Sequence, residues 1–335
     1  MRSFSGSQLF QREVEPLRKL VLPLAVVTHL LSAPHHATAF GTVSVAGQDR
    51  EHEKITRIAL ADAGFGPKTM DEIAGTEGRF GAVGAPDSPD RGLLTKPYAH
   101  CDGADHLDLP GYPQTADQAY AILASCRSFI MKSLQRAVEA AGRIADANGR
   151  VDTREIPSLV PCSYNGKSGR AKCDVLAQLG LAFHAAQDFY AHTNWNDTAL
   201  NAPLGPLNPP GLQKTGRAPW LDPRKRPGPV PGLISGCFEG KPERANCFFG
   251  NGQDRVRHRV LNKDEGPINV ASRRAGKGDT IRGAVHGNFA RAVDAAVADT
   301  RDKWQWFQGQ VVAKFGKVRG EAIVCAIRND DENVC

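Results

Sequence analysis

The chain has 335 residues, 41% of them hydrophobic and 23% charged, with a formal net charge of +6. These are the proportions of a globular protein and exclude a disordered one. The basic residues are spread along the chain without arginine–aromatic interleaving, so nothing points to a nucleic-acid partner.

At the N-terminus, Arg18 and Lys19 precede "LVLPLAVVTHLLSA", an apolar run too short to span a bilayer comfortably. Ala37, Thr38 and Ala39 then supply the small residues that signal peptidase needs. Residues 1–39 are therefore read as a secretion signal and Phe40 as the mature N-terminus, with 40–335 a single extracellular domain. The cysteines agree, because all 8 follow residue 39 and their number is even, as in a disulfide-linked exported protein. Close spacing suggests Cys162–Cys173, Cys237–Cys247 and Cys325–Cys335, which leaves Cys101 and Cys126, although spacing alone does not fix connectivity. A cysteine zinc site is the competing idea, but the chain has no CxxC pair.

Helical periodicity dominates from there on. Residues 50–63 read as a short amphipathic helix, and 115–146 as a long one opened by Thr115 as N-cap. Residues 174–193 and 281–316 read as two more, the second closed near Gly316. Strand-like alternation is scarce, so the expected fold class is all-α. The segment 144–155, "IADANGRVDTRE", partly follows a calcium-loop pattern through Asp146, Asn148, Asp152 and Glu155. Ile144 stands where that loop requires its first aspartate, so a plain Asn-Gly turn is the stronger reading. Proline density excludes helix from 201–236, which is either a lid beside a site or a solvated excursion pinned by Cys237–Cys247.

The chemistry concentrates in "FHAAQDFYAHTNWND", residues 183–197. His184, Asp188 and His192 recur every fourth residue, about 40° apart around a helix axis and about 6 Å apart along it, so they share one face. Imidazoles and carboxylates are seldom buried without partners, and this mixture of nitrogen and oxygen donors suits zinc. Asp188 has two oxygens and is placed to bridge two ions. The apolar neighbours Leu181, Phe183, Phe189 and Trp195 argue against a simple surface face.

"HAAQDFYAHTNW" resembles the signature helix of the Het-C and CinY-like proteins, relatives of bacterial zinc-dependent phospholipase C and the fungal zinc nucleases. The resemblance is sharp for about a dozen residues and loose elsewhere. It implies an all-α domain holding two or three zinc ions, one of them ligated by the amino group and carbonyl of the mature N-terminal residue, here Phe40. His52 stands where the family has its first histidine, and His100 in "AHCDGAD" where it has the next. Asp87 or Asp90 in "GAPDSPD" matches the aspartate expected to ligate and to act as base. His184, Asp188 and His192 match the helix ligands. The family's closing histidine-plus-acid pair is broken, because His286 is followed one turn later by Ala290; His258, with Asp264 close by, is the alternative. His106 reads as an ordinary loop residue. The implied activity is hydrolysis of phosphoesters, most plausibly of phospholipids and with contact to a membrane surface. The alternatives are a zinc nuclease, or a metal-stabilised binding or accessory protein without turnover.

Overall fold

A computed structural model describes residues 40–42, 44, 48–156, 161–237, 247–249, 253–331 and 333–335. The proposed leader, 1–39, lies outside the described residues. In chain order the helices are α1 (Glu51–Leu60), α2 (Pro67–Ala74), α3 (Gly81–Gly84), α4 (Pro97–His100), α5 (Ala116–Ala141), α6 (Ala171–His192), α7 (His258–Leu261), α8 (Asn288–Phe315) and α9 (Lys317–Arg328). The described strands form two antiparallel hairpins of two-residue strands, β1 (Phe248–Phe249) with β2 (Gln253–Asp254) and β3 (Ile268–Asn269) with β4 (Arg274–Ala275). The protein is mostly helical.

α6 is the axis of the fold. It packs against α5, α8, α3 and α4, and from Leu179 to His192 every residue is buried. A helix enclosed on all sides cannot send polar residues to solvent, so its charged groups must find partners within the core. α5 begins as expected, with Thr115 accepting from Gln118 N and the Gln118 side chain accepting from Thr115 N, a complete capping box. It stops at Ala141, short of the expected 146, where Phe315 packs against Gly142.

α8 starts seven residues later than periodicity predicts. His286 and Gly287 both lie in the left-handed region (φ 51° and 68°), which a continuous helix cannot accommodate. The apolar spacing after Gly316 belongs to a separate helix, α9, because Gly316 turns the chain with φ 82°. The 201–236 segment contains only one short 3-10 turn, Pro219–Leu221. Asn194 and Asn196, just beyond α6, hold this segment down: Asn194 Nδ2 donates to Pro210 O and Gly232 O, and Asn196 Nδ2 to Lys214 O and Gly216 O. With Trp220 and Leu221 buried in the core, the segment is packed cover rather than a solvated excursion.

The disulfides are the three pairs that close spacing suggests, Cys162–Cys173, Cys237–Cys247 and Cys325–Cys335, and the remaining pair, Cys101–Cys126. No helix among the described residues is long and apolar enough to cross a membrane.

α6 and α3 approach each other closely at Gly180. A Cβ at Gly180 of α6 would sit 2.3 Å from the main chain of Ala82 in α3. Gly180→Ala should therefore destabilise the fold by about 1–3 kcal/mol through forced separation of the two helices. At Gly309 of α8 a Cβ would meet nothing within 4 Å, so Gly309→Ala should stabilise by about 0.5–1 kcal/mol. Denaturant titrations of both variants measure the contrast, and equal shifts would mean that α3 and α6 are not in such close contact.

Candidate metal centre

α6 presents His184, Asp188 and His192 to elements on either side, and Asp188 is the meeting point. Its Oδ2 lies 3.0 Å from both His184 Nε2 and His100 Nδ1, and its Oδ1 lies 3.1 Å from His52 Nε2 and 3.9 Å from His192 Nε2. α1 brings His52 and α4 brings His100. Asp87, in the 3-10 turn after α3, places Oδ1 3.7 Å from His184 Nε2 and 3.8 Å from His100 Nδ1. The other Asp87 oxygen accepts a hydrogen bond from Thr42 Oγ1.

Each imidazole is aimed by its other nitrogen. His52 Nδ1 is 2.6 Å from Gln187 Oε1, His184 Nδ1 is 2.9 Å from Val83 O, and His100 Nε2 is 3.2 Å from Leu93 O. Since those partners only accept, each of these nitrogens carries the proton, and the remaining one turns inward. Gln187 is itself held, its Nε2 donating to Thr56 Oγ1 at 3.0 Å and to Thr300 Oγ1 at 3.1 Å.

A second group adjoins the first. His192 Nε2 is 3.1 Å from Asp264 Oδ1, and its Nδ1 donates to His100 O at 2.6 Å. His258 of α7 lies between Asp102 (Nδ1 to Oδ1, 3.0 Å) and Asp264 (Nε2 to Oδ2, 3.1 Å). The turn at Cys101, a left-handed residue with φ 54°, sends His100 to one group and Asp102 to the other. The Cys101–Cys126 disulfide ties this unfavourable turn to α5. Gly236 approaches His258 so closely that a Cβ there would lie 2.3 Å from its main chain, and His258 N donates to Cys237 O at 3.0 Å.

The electrostatics are those of a crowded, dry site. Burial opposes charge on His192, but the carboxylates of Asp102, Asp264 and Asp188 outweigh it and raise its pKa to about 9. Burial likewise opposes charge on His52, His100 and His258, and neighbouring carboxylates raise all three above the ordinary histidine value. His184 is the exception: burial, reinforced by the charge of His52, lowers it despite Asp188. Burial would raise Asp264, yet His192 and His258 bring it down to about 2, and Asp188 is held well below the carboxylate range by His184, His192 and His52.

These donors fit a cation. Three sets have ligand atoms within 4.8 Å of one another: His52, Asp87 and His184; His100, His184 and Asp188; and Asp102, His192 and His258. His184 Nε2 and His100 Nδ1 face each other at 3.1 Å, although each ring already donates from its other nitrogen. His52 Nε2, Asp87 Oδ1 and Asp188 Oδ1 are buried and lack a hydrogen-bond partner. Convergent, unsatisfied lone pairs of this kind are what a divalent ion satisfies.

Of the residues singled out by sequence, His52, Asp87, His100, His184, Asp188, His192 and His258 come together. Phe40 is close by, its buried ring 5.8 Å from that of His52, and Gly41 O accepts from His52 N at 3.2 Å. Asp90 and His286 are exposed and belong to none of the three sets. Asp264 supplies the carboxylate that is missing after His286. Asp102 joins the second group, and its only sequence signal is its place two residues after His100 in "AHCDGAD". His106 is a loop residue bonded to Gln114 O at 2.6 Å. The calcium-loop residues do not form a cage: Asp146 accepts from Asn148 N and Arg150 N, Asp152 pairs with Arg154, and Glu155 accepts from Ala171 N. Asn148 lies in the exposed turn itself.

Compared with known proteins, the chain matches no family model, no curated protein and no solved structure.

Two outcomes test the centre. Asp188→Asn should lose more bound metal than His192→Ala, since the carboxylate reaches both groups, and Gln187→Leu should weaken binding about 10–100-fold without removing a ligand. Competition with a graded chelator reads all three; unchanged affinity in Gln187→Leu would show that His52 needs no such orientation. In the metal-free protein at neutral pH, His192 is below its pKa of about 9 and holds a proton that a ligated ion must displace. Metal binding should therefore release protons and tighten as pH rises toward that value. Calorimetry in buffers of different ionisation heat detects the release, and its absence would remove His192 from the ligand set.

Proposed function

We propose that the protein is a secreted hydrolase of phosphoester bonds that works with two or three divalent ions, zinc by its donor set, and that phospholipid is its substrate class. The observation that carries this reading is the convergence on Asp188 of three imidazoles whose outer nitrogens are already committed. Nitrogen and carboxylate donors together suit zinc better than a hard ion such as calcium. His52, Asp87, His184, His100 and Asp188 would hold ions in the first group, and Asp102, His192, His258 and Asp264 one in the second. Ions there supply Lewis acidity, make water acidic near neutral pH and stabilise charge on a phosphoryl group.

Asp87 is the member that opens toward solvent: its side chain is 13% exposed, against 4% or less for the imidazoles and for Asp188. Thr42 fixes one oxygen and the other has no hydrogen-bond partner. The greater exposure and the unpartnered oxygen of Asp87 support a role as acceptor of a proton from attacking water. The four disulfides support export, the compartment in which such bonds persist. The missing acid beside His286 would favour a protein without turnover, whereas Asp264 beside His258 supplies a carboxylate to the second group and supports the hydrolase reading.

Hydrolysis of a chromogenic phosphodiester and of phosphatidylcholine tests the proposal. Asp87→Asn should reduce either activity at least about 100-fold while Asp90→Asn leaves it unchanged. In the same assay, a chain that retains Met-Ala before Phe40 should lose one ion and most activity, because an amide nitrogen is a poor zinc ligand where a free amine is a good one. An inactive but metal-loaded wild type would overturn the hydrolase reading, and equal metal content in the extended chain would remove Phe40 as a ligand.

A further inference from the structure

His192, His258 and Asp264 of the second group are all tied to one side chain outside it, that of Lys263. This lysine is fully buried, its Nζ donating to Leu261 O at 2.8 Å and to Thr193 O at 2.9 Å, with Asp197 Oδ2 at 3.4 Å. Leu261 ends α7, which carries His258, and Thr193 directly follows the end of α6, which carries His192. One ammonium therefore joins the C-terminal ends of the two helices that bring the imidazoles. Carbonyls at a helix end lack a donor within the helix, and a cation complements them.

The main chain of the same residue adds a further tie. Lys263 N donates to Ala191 O at 3.0 Å, so Lys263 holds α6 on either side of His192, by its main chain at residue 191 and by its side chain at 193. Asp264 is the next residue, with Oδ1 3.1 Å from His192 Nε2 and Oδ2 3.1 Å from His258 Nε2. Just beyond it, Gly266 N donates to Glu51 Oε1 at 3.3 Å, in the helix that carries His52. Asp264 thus lies on a segment fixed at both ends by bonds that involve no ion.

Packing alone does not call for a lysine here. A buried ammonium costs desolvation, and its charge repels any cation taken up nearby. Asp197 offsets the charge, and the same Asp197 oxygen also accepts from Arg282 Nε at 2.8 Å. An unbranched apolar side chain would fill a similar volume without either penalty. What an apolar side chain lacks is the ammonium's three donors, and Leu261 O, Thr193 O and Asp197 Oδ2 are the acceptors that face them.

We infer that Lys263 is the positioning residue of the second group: it gathers His192, His258 and Asp264 into their binding arrangement ahead of the ion. This rests on the metal reading for the ion only, because the clamp itself is measurable in the metal-stripped full chain. There, the amides of Lys263 and Gly266 should be protected from hydrogen exchange to the degree of those in α5. Exchange at the rate of an open loop until zinc is added would mean that the ion gathers these segments, and would overturn the inference.

Substitution reads the consequence. Lys263→Met keeps the volume and removes the donors, and should weaken zinc binding by the second group about 10–100-fold while the first group keeps its affinity. Lys303→Met is the control: Lys303 is also fully buried, donates to Asp299 Oδ2 at 2.6 Å and belongs to none of the three candidate sets. It should lower the melting temperature and leave zinc affinity unchanged. Competition with a graded chelator, beside thermal melts, measures both variants. Wild-type affinity in Lys263→Met overturns the inference, as do equal losses in the two variants, since metal loss would then follow stability rather than position. If Lys263→Met does not fold, the exchange measurement on the wild type decides. A wild type that binds no zinc removes the metal reading, while exchange still decides whether the clamp exists.

Discussion

The structure depends on one carboxylate in a place where water cannot reach it. Asp188 lies in the middle of the most enclosed helix, and burying it alone would cost several kcal/mol. Four imidazoles from α1, α4 and α6 itself offset that cost, and each is oriented by a hydrogen bond on its far side. The core of this protein is therefore polar by construction. Its packing and its chemistry share the same residues, and an ion bound there would be tied to folding as well as to function.

The supports of the site are spread widely through the chain. Gln187, Thr56 and Thr300 hold His52, the Val83 carbonyl holds His184, and the turn at Cys101 divides the HCD triplet between two groups. The Cys101–Cys126 bridge stabilises that turn, and the Cys237–Cys247 bridge adjoins the strand-like contact that positions His258. Disulfides in this chain do more than restrict the unfolded state. Two of them lie next to residues whose aim defines the candidate centre.

The proline-rich segment makes the same point from the outside. The asparagines of "TNWND" continue directly from α6 and hold the cover over its C-terminal end. Arg282, Asp197 and Lys263 then join that cover to the chain bearing His192 and Asp264. The cover and the candidate metal centre are thereby joined through buried, paired side chains.

The fourfold spacing of His184, Asp188 and His192 was decisive in the sequence because a helix converts that spacing into a shared face without help from any other element. The short cysteine spacings and the Thr115 cap were legible for the same reason: each is a local constraint. Asp102 and Asp264 were not legible in that way, since their roles depend on a left-handed turn and on a loop that returns from far along the chain. His286 shows the converse. It had a plausible place in the helical pattern, but two successive left-handed residues start α8 after it and leave it in solvent. Likewise, proline composition excluded helix from 201–236, yet only the buried asparagines and Trp220 decided that this segment is packed cover. Local geometry is written in spacing, whereas the closing of the site is decided by which distant segments share the burial of one charge.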